Sequence, residues 1–241
     1  MMMRSQVLRS ALNACQRPAA QQVVARTFAS AGANAPVRSA REWEQDIKEH
    51  AKRDYLIKRT KLSSMLKSVK TVEELEATKE IMKIYEQKRV DPDANAAGEF
   101  VKKALELNAA NVAFDVFEAN YRIGLFLEPS SLNKLMTKFL QAGDFEKVAQ
   151  LYEIGTKKYK VRSTERTYDI LVRSAIEQQD LDQAMTYLKD AAVSQKLQRV
   201  TCNNLLFKLK EQELQDKIDE VAALMKDAGV EPNATTKQIL Q

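Results

Sequence analysis

The sequence predicts an all-α protein, a right-handed α-solenoid of about four to five helix-turn-helix repeats of about 35 residues. Three observations support this prediction. Only six Gly and five Pro occur in 241 residues, and the abundant Ala, Leu, Lys, Glu and Gln favour helix. From Trp43 onward, apolar residues recur at spacings of three and four, as they do in amphipathic helices. Turn signals separate these helical stretches at a period near 35.

The first 41 residues differ in charge from the rest of the chain. They contain no Lys, Asp or Glu, and their charged residues are Arg4, Arg9, Arg17, Arg26, Arg38 and Arg41. An Arg-rich, acid-free start with a short apolar helical face is typical of a mitochondrial transit peptide. The stretch ARTFASAG predicts cleavage near Phe28. The alternatives are a basic arm that binds nucleic acid and a chloroplast transit peptide. The lack of Lys argues against the first, and the excess of Arg over Ser against the second.

Removing this segment changes the charge balance. The whole chain has 38 basic and 33 acidic residues, a net charge of +5. Without the six arginines, residues 42–241 keep 32 basic residues against 33 acidic ones, a net charge of −1. The composition therefore predicts no general attraction for phosphate in the body of the protein, although local patches are compatible with it. No run of 18 apolar residues occurs, so no membrane span is predicted.

The chain from residue 42 divides into two parts. Residues 42–70 are predicted to form a charged helical segment, and residues 71–241 the repeats. The first repeat helix reads TVEELEATKEIMKIYEQKR, with Thr71 and Glu74 spaced as a capping box. This helix ends before Pro92, which disfavours helix at the preceding residue. Its predicted buried residues are Leu75, Ile81, Met82 and Tyr85.

The repeats align at several positions. Their two helices are predicted to join at Asn108, at 142–144, at 179–180 and near Glu213. The stretches RVDPDANA and GVEPNATT lie 140 residues apart, which equals four units of 35. One polar position recurs as Asn133, Asp169 and Asn203, at spacings of 36 and 34, and Gly98 falls 35 residues before Asn133. We interpret Asp169 and Asn203 as helix-start caps.

The last two repeats resemble a known family. VTCNNLLFKL followed by DEVAALMKDAGVEPN resembles the pentatricopeptide repeat family, whose units open with Val-Thr-Tyr-Asn and close with Met-Lys-x-x-Gly-x-x-Pro-Asp. RTYDILVRSAIEQQDLDQAMTYL is similar, with Ala184 at the alanine of the second helix. The resemblance is strongest for residues 165–236 and weaker towards residue 55. Cys202 stands where the family has Tyr, and we interpret it as a small buried apolar residue.

The resemblance implies an organellar protein that binds single-stranded RNA, one base per repeat. In the family, a polar residue early in the first helix and a polar residue closing the repeat read each base together. Asn204 with Asn233 fits this pattern. The other repeats offer Ile170, Lys134 and Glu99 at the first position. Because Ile cannot pair with a base edge and Glu repels phosphate, these repeats are expected to keep the packing and to lack base readout.

Two basic stretches are further candidates for RNA contact. They are KRDYLIKRTKLSSMLKSVK and KKYKVRSTER, with Tyr55 and Tyr159 available for stacking on bases. The alternative is that their charges are simply solvated. The residues predicted to contact RNA are Lys58, Arg59, Lys61, Lys157, Lys158, Lys160 and Arg162, together with Asn204 and Asn233.

The sequence predicts no enzyme, no cofactor, no metal site and no small-molecule substrate. His50 is the only histidine, so neither a His-containing metal cluster nor a Ser-His-Asp triad can be assembled. No glycine-rich phosphate loop occurs. Cys15 and Cys202 are the only cysteines, and just one lies beyond residue 41, which excludes a disulfide within that part.

Two functions of different classes follow. The first is a non-catalytic pentatricopeptide-like protein of the mitochondrial matrix that acts in organellar RNA metabolism or translation, by binding RNA, ribosomal RNA or the ribosome. The second is a structural or scaffold subunit of a large mitochondrial assembly, such as the ribosome, a respiratory complex or the ATP synthase, which binds protein rather than RNA. The family resemblance favours the first function, and the near-neutral charge favours the second.

Overall fold

The structure is a computed structural model that describes residues 38–53 and 55–240. These residues contain α-helices and no β-strand. The predicted transit peptide, residues 1–41, lies outside the described residues except for its last four. The helices are α1 (Ala40–Lys52), α2 (Thr60–Ser68), α3 (Val72–Gln87), α4 (Ala96–Glu106), α5 (Ala110–Glu118), α6 (Pro129–Ala142), α7 (Phe145–Glu153), α8 (Glu165–Glu177), α9 (Leu181–Val193), α10 (Arg199–Glu211), α11 (Gln215–Asp227) and α12 (Ala234–Leu240).

The helices form two layers. Each even-numbered helix packs against the next even-numbered helix, from α2 to α12, and we call these helices the even layer. The odd-numbered helices form the odd layer, in which α1 contacts α3, α3 contacts α5, α5 contacts α7 and α9 contacts α11. Each even-numbered helix from α2 to α10 also packs against the odd-numbered helix that follows it, giving five stacked hairpins. The predicted all-α solenoid of helix-turn-helix repeats is confirmed.

The first hairpin begins before residue 71. Helix α2 pairs with α3 and stacks on α4, while α1 packs against α2 and α3. The charged segment 42–70 thus holds most of α1 and all of α2, which is the first member of the even layer.

The helices within each hairpin are joined by tight turns. Asn108, Gly143, Gln179 and Glu213 adopt positive φ, which places them in the left-handed region at the end of an even-numbered helix. The next amide donates back to the carbonyl five residues earlier, as Asp144 N–H does to Phe139 O at 3.0 Å. These are the four joints that the sequence predicts, and they are confirmed.

The two related stretches 140 residues apart occupy equivalent places. Val90 N–H donates to Tyr85 O at 2.9 Å, and Val230 N–H donates to Met225 O at 2.8 Å. Each valine follows a residue with positive φ, Arg89 or Gly229, and each closes an odd-numbered helix. The spacing therefore marks one structural position, four hairpins apart.

The start of α3 matches the sequence in part. The Thr71 side chain accepts a hydrogen bond from Glu74 N–H, as predicted. The Glu74 carboxylate, however, accepts from Lys70 N–H at 2.8 Å rather than from Thr71 N–H. The prediction of a complete capping box is therefore wrong, because its second hydrogen bond is not formed. The four residues predicted to be buried in this helix, Leu75, Ile81, Met82 and Tyr85, are buried.

The apolar interior of the stack consists of two clusters that share packing partners. One cluster of buried residues extends from Ala40 to Ala191, and a second covers the region from Val172 to Ile239. Tyr187 and Leu197 pack against both clusters. Because a single hairpin exposes its apolar faces, each hairpin depends on its neighbours for stability.

The recurring polar position is not a helix cap. Thr164 caps α8 with its side chain, and Gln198 occupies the N-cap position of α10, so Asp169 and Asn203 both lie inside their helices. The interpretation of these two residues as caps is wrong. Asp169 and Asn203 instead face a threonine of the next even-numbered helix, Thr201 and Thr236 respectively.

Candidate nucleic-acid interface

Charge is divided between the two layers. The helices of the even layer contain twelve Lys and Arg against six Asp and Glu, a net charge of +6. The helices of the odd layer contain nine Lys and Arg against nineteen Asp and Glu, a net charge of −10. The near-neutral total of residues 42–241 hides this division. The expectation that the body offers no attraction for phosphate is therefore too coarse, because the positive side chains are concentrated on one layer.

Some acidic side chains of the odd layer form ion pairs with lysines of the neighbouring odd-numbered helix. Ion pairs join consecutive odd-numbered helices: Lys48 Nζ to Glu80 Oε2 at 2.9 Å, Lys79 Nζ to Asp115 Oδ2 at 2.8 Å, and Lys217 Nζ to Asp182 Oδ1 at 2.7 Å. Each pair connects residues 32 to 36 positions apart, which is about one repeat. These exposed pairs help to set the register of the layer, although each contributes little stability.

The first groove of the even layer lies across α4, α6 and α8. It is a cavity of about 560 Å³, and its charged lining residues are Lys134, Lys138 and Arg166. Lys134 is exposed, and Lys138 Nζ donates to Asn108 Oδ1 at 3.1 Å. Arg166 forms an ion pair with Asp169 at 2.7 Å. Helix α6 contains no acid at all, so the middle of this groove is positively charged.

The second groove lies between α8 and α10. It is a cavity of about 320 Å³ lined by Arg173, Ile176, Glu177, Asn204, Phe207 and Lys208. Phe207 is 50% exposed, whereas Asn204 Nδ2 is buried and no protein group accepts a hydrogen bond from it. The exposed aromatic ring can stack on a base. Arg173 and Lys208 beside it can approach a phosphate, and they also pair with Asp169 at 3.2 Å and Glu211 at 2.8 Å.

The first sequence-predicted basic patch is mostly engaged with the protein itself. Lys61 Nζ lies 2.5 Å from Asp46 Oδ2, and the Lys61 side chain is only 12% exposed. Arg59 donates to the backbone carbonyls of Asp91 at 3.0 Å and Pro92 at 3.2 Å. Lys58 is exposed, and its carbonyl accepts from the Tyr85 hydroxyl at 2.9 Å. Lys58 and Arg59 are thus exposed, and Lys61 is the least accessible of the three cations.

The second patch follows α7. Lys158 Nζ donates to Glu118 O at 2.5 Å, and Lys157 pairs with Glu153 at 2.8 Å on the exposed surface. Lys160, which has positive φ, and Arg162 are exposed. Burial raises the pKa of the nearby Tyr159 hydroxyl to about 12. This hydroxyl donates to Phe117 O at 2.9 Å, so the Tyr159 ring is fixed by packing.

Most of both patches lies in segments that follow odd-numbered helices, but Lys61 lies in α2 and Arg166 lies in α8. We call these segments the loop edge; they are 53–59, 88–95, 119–128, 154–164, 194–198 and 228–233. The two patches are separated by two of these loops, so the structure does not bring them to one place. Of the residues in these two patches, Arg166 lines the first groove of the even layer.

The predicted base-reading pair is not formed by direct contact. Asn233 Oδ1 accepts from Thr236 N–H at 2.8 Å at the start of α12. The Thr236 hydroxyl also lies 2.8 Å from Asn203 Oδ1. Asn233 is thus connected to Asn203, while Asn204 lines the second groove. Ile170 is fully buried, which agrees with the expectation that this repeat lacks base readout.

Sequence reasoning overlooked most of the residues that line the grooves. It considered Asn204, Lys134 and Arg166, but not Lys138, Arg173, Phe207 or Lys208. A signal for them exists in the sequence, because the predicted first helices of the repeats are basic and the second helices are acidic. Summing charge over the whole body averages this signal away.

Likeness to known proteins is found among solved structures. Neither a family model nor a curated protein matches the chain. Among solved structures, it is similar to the crystal structure of the pentatricopeptide repeat protein PPR10 from maize, with 14% sequence identity and a TM-score of 0.48. The match covers 83% of this chain and 28% of that one, so the chain spans less than a third of that protein's length. The fold described above follows from this chain's own helices and contacts.

A helix that crosses a bilayer must be both long and apolar. Within residues 38–53 and 55–240, no helix combines these two properties.

Proposed function

We propose that this chain is a non-catalytic helical-repeat protein that binds single-stranded RNA along the even layer. The observation that carries the proposal is the division of charge, with +6 on the even-layer helices and −10 on the odd-layer helices. A polyanion is attracted to the first layer and repelled by the second, so it is oriented as it approaches. The resemblance of residues 165–236 to pentatricopeptide repeats supports the same conclusion.

The two grooves suit different parts of an RNA strand. Lys134, Lys138 and Arg166 present cations without a base-sized aromatic partner, which suits phosphate. Phe207 offers an exposed ring for stacking, which suits a base. Mixed phosphate contacts and sequence-tolerant stacking produce binding with low sequence selectivity. This agrees with a series of repeats in which few positions can read a base.

We place this RNA binding in mitochondria, in organellar RNA metabolism or translation. The six arginines and the absence of acids in residues 1–41 support this location. Mass analysis of the protein isolated from mitochondria tests it, since an N-terminus near Phe28 is expected. An intact Met1 in imported protein would contradict cleavage.

RNA binding is tested by titrating the full chain into fluorescein-labelled single-stranded RNA at two salt concentrations. Lys134→Glu with Lys138→Glu is expected to weaken binding by about tenfold or more and to lower the salt slope by about two. The matched control is Lys83→Glu with Lys226→Glu, which changes the net charge equally but on the odd layer. The control is expected to stay within about twofold of the wild type.

A third variant distinguishes the contribution of the even layer to RNA binding from that of the basic patch predicted from the sequence. Reversal of Lys157, Lys158 and Lys160 to Glu is expected to weaken binding less than the pair on α6. If this variant, the Lys134/Lys138 variant and the Lys83/Lys226 control all lose affinity equally, RNA binding depends only on total charge. The proposed interface would then be wrong. If the wild type does not bind RNA at low salt and migrates in a large complex, the scaffold function replaces this proposal.

A further inference from the structure

We propose that the loop edge is a docking surface for an anionic lipid bilayer. This surface is separate from the even-layer grooves, and the proposal does not depend on RNA binding. Three features carry it: the loops are held in one row, they expose apolar side chains, and they are rich in cations.

Contacts between neighbouring loops hold them in a row. Arg59 donates to Asp91 O, and Arg122 Nη1 pairs with Asp91 Oδ1 at 2.5 Å. The Tyr159 ring packs so closely over Gly124 that a Cβ there would overlap it. Arg199, beside the fifth loop, donates to Glu231 O of the sixth at 3.4 Å. These contacts join the first four loops to one another and the fifth loop to the sixth, and the stacked helices hold all six at one edge of the solenoid.

Large apolar side chains are exposed along this edge. Within the part of the chain that the structure describes, six such side chains are exposed, and five lie in the loops or within two residues of them: Tyr55 (60%), Leu56 (87%), Leu125 (58%), Val193 (86%) and Val200 (57%). The sixth, Phe207, lies in the middle of α10 and lines the second groove. Scattered single apolar residues are ordinary on a protein surface, but their concentration on one edge indicates an interaction site.

The same edge is positively charged. Its six segments contain eleven Lys and Arg against five Asp and Glu, a net charge of +6. The segments at the opposite edge, 69–71, 107–109, 143–144, 178–180 and 212–214, contain one Lys and three acids. A surface that combines cations with protruding apolar side chains is the type that binds anionic membranes. The cations are attracted to the headgroups, and the apolar groups enter the interface.

The apolar side chains favour a bilayer over RNA as the partner. Leu56, Val193 and Val200 can neither stack on bases nor pair with them, so RNA would leave them exposed. They lie in the first loop and on either side of the fifth rather than around one continuous apolar groove, and a fluid interface can accept such separate insertions. A cavity of about 360 Å³ lies between two of the loops, with Leu125, Phe126 and Val161 in its lining and Lys160 and Arg162 beside them. Glu128 also lines this cavity.

Vesicle cosedimentation of the full chain tests the proposal. The probes are vesicles of phosphatidylcholine alone and vesicles containing about 30% phosphatidylglycerol. The wild type is expected to bind the anionic vesicles and not the neutral ones. Leu56→Ser with Val193→Ser is expected to lower the partition coefficient by about tenfold. Because this variant keeps the charge, the six arginines of residues 1–41 contribute equally before and after the change.

The control for the vesicle experiment is Phe207→Ser, which removes an exposed apolar side chain from the even layer. It is expected to leave vesicle binding unchanged and to weaken RNA binding. Leu56→Ser with Val193→Ser is expected to weaken vesicle binding and to leave RNA binding unchanged. Absence of wild-type binding to anionic vesicles would overturn the proposal. So would equal vesicle binding by the wild type and the Leu56/Val193 variant, or a loss of RNA affinity alone in that variant.

Discussion

The hydroxyl of Thr167 in α8 donates to the side-chain oxygen of Asn133 in α6 at 2.8 Å, in the buried contact between two hairpins. Asn133 Nδ2 also donates to the N-cap residue Thr164 at 2.9 Å. One carboxamide thus holds both side chains that cap the next helix. Thr236 and Asn203 repeat this bond at 2.8 Å, so the polar position serves to align successive hairpins.

Replacing Thr167 with Val should destabilise the fold through this bond. The substitution keeps the volume but leaves the buried Asn133 oxygen without its donor, and we expect the free energy of unfolding to fall by about 1–3 kcal/mol. Urea unfolding measures it. Thr201→Val is the control, since the Thr201 hydroxyl lies 3.5 Å from Asp169 and its bond is weak. Equal losses in the two variants would show that the hydroxyl bond contributes nothing specific.

Replacing two glycines, one at a time, with Ala should change the free energy of unfolding in opposite directions. At Gly124, a Cβ would overlap the Tyr159 ring, which is fixed by its hydroxyl bond to Phe117 O. We expect Gly124→Ala to lower the free energy of unfolding by about 1–3 kcal/mol through overpacking. At Gly98, inside α4, the nearest atom to a Cβ is Ser131 Oγ at 3.9 Å. There Ala should stabilise the helix by about 0.5–1 kcal/mol. Thermal unfolding of both variants checks the signs, and a stabilising Gly124→Ala would contradict the packing described.

The repeat architecture could be predicted from the sequence because local signals coincide in every unit. Each hairpin places a turn residue at nearly the same offset, and Asn108 and Gln179 adopt the left-handed conformation without being glycine. The beginning of the stack was harder to predict. Helix α2 is nine residues long and carries no side-chain cap, so its role becomes visible only through its contacts with α3 and α4.

The candidate site was less predictable because charge density does not reveal which cations are engaged. Lys61 and Arg59 lie in a basic stretch, yet one pairs with Asp46 and the other binds carbonyls of the next loop. Their partners lie 15 to 33 residues away along the chain, beyond any local pattern. Phe207 could not be distinguished from a core residue by spacing alone, since α10 is apolar on more than one side.

The ion pair between Asp46 and Lys61 should make stability depend on acidity. The hydrogen bond from Lys61 lowers the pKa of the Asp46 carboxyl below its ordinary value. A carboxyl with a lowered folded-state pKa contributes stability above its unfolded-state pKa of about 4, and this stability is lost as the pH falls through the folded-state pKa. Asp46→Asn should therefore destabilise the protein by about 1–2 kcal/mol at pH 7. The difference from the wild type should shrink as the pH is lowered below about 4.

Unfolding in urea at a series of pH values measures this difference. Asp115→Asn is the control, since Asp115 pairs with Lys79 on the exposed surface and its loss should matter little. If the free energies of unfolding of the wild type and Asp46→Asn differ by a constant amount down to pH 3, the charge of Asp46 does not stabilise the packing of α1 against α2.

Cys202 should report on the opening of the C-terminal hairpins. Its side chain is fully buried in α10, and burial raises the pKa of the thiol to about 12. Alkylation requires the thiolate and access to the sulfur, so at pH 8 the folded chain should react at Cys202 at least about a hundredfold more slowly than the urea-unfolded chain. Iodoacetamide labelling followed by mass analysis of the peptide that contains Cys202 measures both rates. Thr236→Val breaks the bond that aligns α12 with α10, so it should speed labelling of the folded chain. Labelling that is equally fast in the folded wild type and in urea would mean that α10 is not enclosed by its neighbours, and the stacked order of the last two hairpins would be wrong.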